Sequence, residues 1–182
     1  MIINDLNEVK TIISNNIELC RLHDFIRGNQ ADLAVVEVTT NARFNRYRMV
    51  WYTLINSMYS SISLIHQFIK NQGDDVNDLD TGFDFASWYI EECYEENNNG
   101  NRNQVVPDLA KILRRLRNSV SHGSFLLDTT VGNGIQAELI FRDKNLGLID
   151  MNTEKYFFLK MKAHRLDDFL QKIESKFNQK YP

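Results

Sequence analysis

Apolar residues recur at helical spacing along four stretches of this chain. Leu6, Val9, Ile13, Ile17 and Cys20 step by three and four, which predicts an amphipathic helix from Asn4 to about Arg27, with Asn4 as its N-cap and Gly28 as its stop. Residues 40 to 70 carry the longest stripe, formed by Phe44, Tyr47, Trp51, Leu54, Met58, Ile62, Ile65 and Ile69. Unbroken, that helix is roughly 45 Å long. Val50, Ile55 and Tyr59 widen its apolar face, as suits a central helix touching more than one neighbour. Core packing accounts for these aromatic and Met residues.

The segment NQGDDVNDLDTG, residues 71 to 82, reads as a loop, and its acids lack the spacing of a calcium loop. Phe85, Trp88, Tyr89 and Cys93 predict a shorter helix, followed by a loop in ENNNGNRN, residues 96 to 103. Pro107 and Asp108 then open a helix whose Leu109, Ile112, Leu113, Leu116 and Val120 form one buried face, with Gly123 as its stop. Past Gly123 the period changes. Residues 124 to 131 and 135 to 142 are β-prone runs around GNG, residues 132 to 134, a hairpin signal. Tyr156 to Met161 predicts a further strand, and Leu166, Phe169, Leu170, Ile173 and Phe177 a final helix. The pattern is that of a mainly α protein: a helical bundle over 1 to 123, then a small antiparallel hairpin or sheet and a C-terminal helix over 124 to 182.

The length of 182 residues fits one domain, and 43% hydrophobic with 25% charged residues excludes a disordered or loop-dominated chain. Cys20 and Cys93 give neither a disulfide framework nor a zinc motif. The N-terminal MIINDLNEVK lacks the basic and apolar regions of a secretory signal, and no run suits a membrane span, so a cytoplasmic location is expected, with no membrane partner. No HExxH, GxSxG, GxxxxGK[ST] or GxGxxG occurs, and no metal or cofactor is expected.

A net charge of -3 excludes the broad basic footprint of a general nucleic-acid binder. Charge is nevertheless segregated. Residues 74 to 96 hold nine acids and no Lys or Arg, so the rest of the chain is net positive. Basic residues gather at Arg43, Arg46 and Arg48 and again at Lys111, Arg114, Arg115 and Arg117. Each cluster suits a solvated helix face, but the second one leads into RNSVSH, residues 117 to 122.

On a helical wheel Lys111, Arg115, Asn118 and His122 gather opposite the apolar face, at i, i+4, i+7 and i+11. Arg can hold a phosphate bidentately and His can move a proton near neutral pH, which are the needs of phosphodiester chemistry. Arg117 and His122, five positions apart, point about 140° from each other on an ideal helix. Two copies of the helix meeting across a two-fold axis could surround one phosphate with both pairs, which implies a homodimer.

Arg117, Asn118, three residues and then His122 followed by Gly123 resemble the R-x(4 to 6)-H motif of HEPN (higher eukaryote and prokaryote nucleotide-binding) domains. The long helical bundle before it, and the hairpin and final helix after it, are similar to bacterial HEPN nucleases of toxin and phage-defence type. The resemblance implies a metal-independent endoribonuclease that leaves 2′,3′-cyclic phosphate and 5′-OH ends. Arg117 would neutralise the scissile phosphate, Asn118 would orient it or the His, and His122 would transfer protons. Lys111, Arg114, Arg115, Ser121 and, from the long helix, Arg46 form the expected RNA-binding surround. An antitoxin or regulatory protein is a further expected partner. Ser124 stands where HEPN toxins inactivated by nucleotidyl transfer carry a Tyr, which argues against that route. Two other readings stay open: a non-catalytic HEPN module binding RNA, nucleotide or protein, and a helical dimerisation scaffold.

Overall fold

Asp5 starts the first helix, α1 (Leu6–Gly28), by accepting at Oδ1 from the N–H groups of Asn7 at 2.8 Å and Glu8 at 3.4 Å. The computed structural model describes residues 5–28, 46–97, 102–103, 107–128, 137–144 and 155–182, so Asn4, the N-cap expected from the sequence, lies outside it. Val9, Ile13 and Ile17 are buried as the periodicity predicts. The long helix α2 (Arg46–Gln72) buries Ile55, Met58, Ile62, Ile65 and Ile69. Phe44 lies outside the described residues, as do the side chains of Cys20, Tyr47, Val50, Trp51 and Leu54. α2 packs on α1 and on α3 (Leu109–Ser121), as its wide apolar face requires.

Between α2 and α3 the structure corrects the sequence reading. Residues 85 to 93 do not form a helix: a single 3-10 turn, Ala86–Trp88, leads into strand β1 (Glu92–Asn97). Tertiary contacts override the local spacing here. Trp88 is fully buried, its Nε1 donates to Asp80 Oδ2 at 2.9 Å, and its ring meets Phe169 edge-on at 5.7 Å. From Glu92 onward the backbone pairs with a strand far along the chain. The expected loop at 96 to 103 likewise contains the end of β1 and the short β2 (Arg102–Asn103), which pair antiparallel.

The remaining strands are β3 (Phe125–Asp128), β4 (Glu138–Lys144) and β5 (Lys155–Lys162), and the final helix is α4 (Leu166–Lys180). β3 and β4 pair antiparallel as expected, while the GNG turn lies outside the described residues. The sheet runs β2-β1-β5-β4-β3, so strands from before and after residue 123 share it, and 123 is no boundary between bundle and sheet. The fold is mainly α with a small antiparallel sheet and a C-terminal helix.

The side-chain alternation of a strand decides what this sheet offers to α3, which packs against β4. Leu139 and Phe141 of β4 and Phe157, Leu159 and Met161 of β5 are all buried. In the same alternation stand two buried acids, Glu95 and Asp143, both opposite Phe157 in the register. One row across three strands therefore reads carboxyl, phenyl, carboxyl.

Most of the acidic segment 74 to 96 is paired within the chain. Lys176 lies 3.0 Å from Asp80, and Lys180 lies 3.2 Å from Asp78 and 3.7 Å from Asp74. Lys162 is 3.8 Å from Glu91 and Lys160 is 3.9 Å from Glu92. These contacts fasten the loop after α2 to α4, and β1 to β5. Although burial opposes it, the bonds from Trp88 and Lys176 hold the Asp80 carboxyl below its ordinary value.

Candidate active site

Helix α3 is fixed at both ends by its own sequence. Asp108 caps it, accepting at Oδ1 from the Lys111 N–H at 2.8 Å, while Ala110 N–H donates to Asn77 Oδ1 at 3.0 Å. Leu109, Ile112, Leu113 and Leu116 are buried, each stabilising the packed helix by about 1.5–3 kcal/mol. At the other end Gly123 takes φ +64°, its N–H reaches Val120 O at 3.0 Å, and Ser124 N–H reaches Ser119 O at 2.7 Å. This is a Schellman stop, and it makes His122 the C-cap.

The basic stripe of α3 does not face solvent as the helical wheel suggests; it lies along the acidic row of the sheet. Lys111 Nζ is 2.8 Å from Glu95 Oε2. Arg115 is buried, with Nη1 2.8 Å from Asp143 Oδ2 and Nη2 3.5 Å from Glu95 Oε1. Asn118 Nδ2 donates to Asp143 Oδ2 at 3.4 Å, and His122 Nδ1 is 3.7 Å from Asp143 Oδ1. Arg115 therefore leaves the expected RNA-facing set: its guanidinium is enclosed and spent on two carboxyls. Lys111 remains partly open but holds Glu95.

Arg117 occupies the other flank of α3, half-buried, with Nη2 3.5 Å from Asn118 Oδ1. Its charge, with that of Arg114, reaches His66 on α2. Burial first, and then Arg117, Lys70 and Arg114, push the His66 imidazole below its ordinary value of 6.5. His66, Lys111 and the exposed Arg114 line an open cleft of about 330 Å³ together with Asp108 and Ala110. Ser121 is exposed, its hydroxyl donating to Asn118 O at 3.0 Å. Arg46 is the first residue of α2, and its side chain lies outside the described residues.

Asn118 is thus the hinge of the motif. Its amide oxygen meets Arg117 and its amide nitrogen meets Asp143, which in turn faces His122. One chain thus links Arg117 to His122 indirectly, through Asn118 and Asp143.

The family model described as HEPN pEK499 p136 matches residues 10–182, nearly the whole chain. The chain is a HEPN-family protein. Neither a curated protein nor a solved structure gives a match. In this HEPN chain the residues that the motif brought to attention lie on one helix, whereas Glu95, Asp143 and His66 were missed. The two acids carried a signal: each stands where strand alternation asks for an apolar residue, after Cys93 in one case and after Leu139 and Phe141 in the other. His66 carried none, because its neighbours come from another helix.

Among the described residues of the HEPN chain, no group of His, Cys, Asp and Glu could hold a metal ion, and no helix is long and apolar enough to cross a membrane. Cys93 is largely buried, and burial, then Glu95, pushes its thiol up to about 12, so it offers no thiolate nucleophile near neutral pH.

Proposed function

We propose that this HEPN protein is a metal-independent endoribonuclease of toxin or phage-defence type, active as a homodimer. The observation that carries this reading is the motif at the end of α3: Arg117 and Asn118 on the last turns, and His122 at the C-cap with its side chain 52% exposed beside a buried carboxyl. Family membership supports a nuclease or RNA-related role.

Arg117 binds the scissile phosphate and offsets the negative charge that grows on it in the transition state. Asn118 holds Arg117 in place through its amide oxygen. The 2′-OH attacks the adjacent phosphorus and the P–O5′ bond breaks. One imidazole takes the 2′-OH proton and a second, protonated, delivers a proton to the departing 5′ oxygen. The products are a 2′,3′-cyclic phosphate and a 5′-OH. Two His122 side chains, one from each protomer, supply both proton steps, and two-fold pairing of α3 surrounds one phosphate with both Arg–His pairs.

The test is RNA cleavage by purified Arg117→Ala and His122→Ala beside the wild type, with light scattering to fix the oligomeric state. Both variants are expected to fold, to remain dimeric and to lose cleavage. Wild-type cleavage rates in both variants, or a strict monomer that cleaves RNA, contradict the proposal. Salt-sensitive RNA binding that both variants lose, without cleavage by any form, supports the binding-module reading instead.

A further inference from the structure

We propose that Asp143 is the positioning residue of His122: it accepts a hydrogen bond from Nδ1–H and so leaves Nε2 bare and turned outward for proton transfer. The proposal deepens the nuclease reading and rests on His122 being its proton carrier.

Three observations support it. First, Asp143 is placed with unusual definition. It sits on β4 with its side chain 1% exposed, and Oδ2 is held by Arg115 Nη1 at 2.8 Å and Asn118 Nδ2 at 3.4 Å. Second, its other oxygen, Oδ1, is buried with no hydrogen-bond partner among the described residues. A buried polar atom left this way is costly, and a native site that keeps one has a use for it. Third, His122 Nδ1 lies 3.7 Å from that same Oδ1. This is slightly beyond a hydrogen bond, as is common before substrate is bound. His122 is the C-cap of α3, with its side chain 52% exposed.

The chemistry follows from the two nitrogens of imidazole. A carboxyl on Nδ1 fixes both tautomer and ring direction, so the lone pair of Nε2 faces the substrate. The same carboxyl anchors Asn118, whose amide oxygen meets Arg117. Asp143 therefore couples the two functional ends of the motif from a strand that the motif does not include. Arg115 serves as the strut that keeps Asp143 in place.

The experiment reads the His122 tautomer from imidazole ¹⁵N shifts followed over a pH series, alongside steady-state cleavage. Asp143→Asn is the direct variant. Because it leaves Arg115 partly uncompensated, Asp143→Leu combined with Arg115→Met removes the buried pair as a unit. The wild type is expected to hold the Nδ1–H form. Both variants are expected to shift toward Nε2–H and to lose about ten-fold or more in kcat with little change in KM. An unchanged tautomer in a folded variant overturns the assignment. If the wild type cleaves no RNA, the nuclease reading falls, and the tautomer comparison still decides whether Asp143 positions His122.

Discussion

Arg115 and Asp143 form a buried ion pair, Nη1 to Oδ2 at 2.8 Å, that ties helix α3 to strand β4. Both ends are enclosed, their side chains 6% and 1% exposed. Removing one partner leaves charge in a place that cannot hydrate it. Arg115→Ala is therefore expected to cost about 3–5 kcal/mol, measured as a fall in the denaturant midpoint. Arg117→Ala, on the half-buried flank, is expected to stay within about 1 kcal/mol of wild type. Equal losses in the two variants would show that the pair is not what fastens the helix.

The C-terminal stop of α3 sets the place of His122, so Gly123 is expected to matter beyond its size. A Cβ at Gly123 meets nothing within 4 Å, and the cost of Gly123→Ala comes from its φ of +64° alone. That strain is about 1–2 kcal/mol. Equilibrium unfolding measures it, and RNA cleavage is expected to fall as the His122 cap shifts. Full stability in Gly123→Ala would mean that the Schellman geometry contributes little.

His66 gives a pH dependence with a definite sign. Its folded value lies below the ordinary 6.5, so as pH falls the unfolded chain takes up a proton before the folded one does. The wild type is expected to lose stability as pH drops below about 6.5, and His66→Gln is expected to lose less over that range. Thermal melts of both proteins from neutral to acid pH check this. Parallel curves would remove His66 as the source.

Arg114 and Lys111 line the same cleft but differ in how free their charges are. Arg114 is exposed, whereas Lys111 Nζ is 2.8 Å from Glu95. In the RNA-binding account, Arg114→Ala weakens binding and lowers the slope of log affinity against log salt by about one contact, roughly 0.7. Lys111→Ala changes the slope less. The reverse order, read from binding titrations at several salt concentrations, would place the RNA elsewhere.

Much of the fold was legible in the periodicity. The apolar stripes of α1, α2, α3 and α4 lie in the core where they are described, and the β3–β4 pairing follows from the β-prone runs on either side of the GNG signal. Residues 85 to 93 misled because Phe85, Trp88, Tyr89 and Cys93 mimic helical spacing, while their conformation is set by Asp80 a few residues before them and by Phe169 and β5 far along the chain. The motif itself was legible as a string. The destination of its basic stripe was not, since a wheel shows which residues share a face but not which carboxyls a remote sheet brings to it. Arg115 is the clearest case: polar on the wheel, it is buried because Glu95 and Asp143 meet it there.

The central claim is that Arg117 and His122 cut RNA without a metal ion. It is tested most directly by incubating wild type and His122→Ala with total RNA and tRNA in EDTA and mapping the new ends. The account predicts cleavage by the wild type that leaves 2′,3′-cyclic phosphate and 5′-OH ends, with the His122→Ala rate lower by about 10²–10⁴-fold. Equal cleavage by both proteins, or none by the wild type, would contradict it.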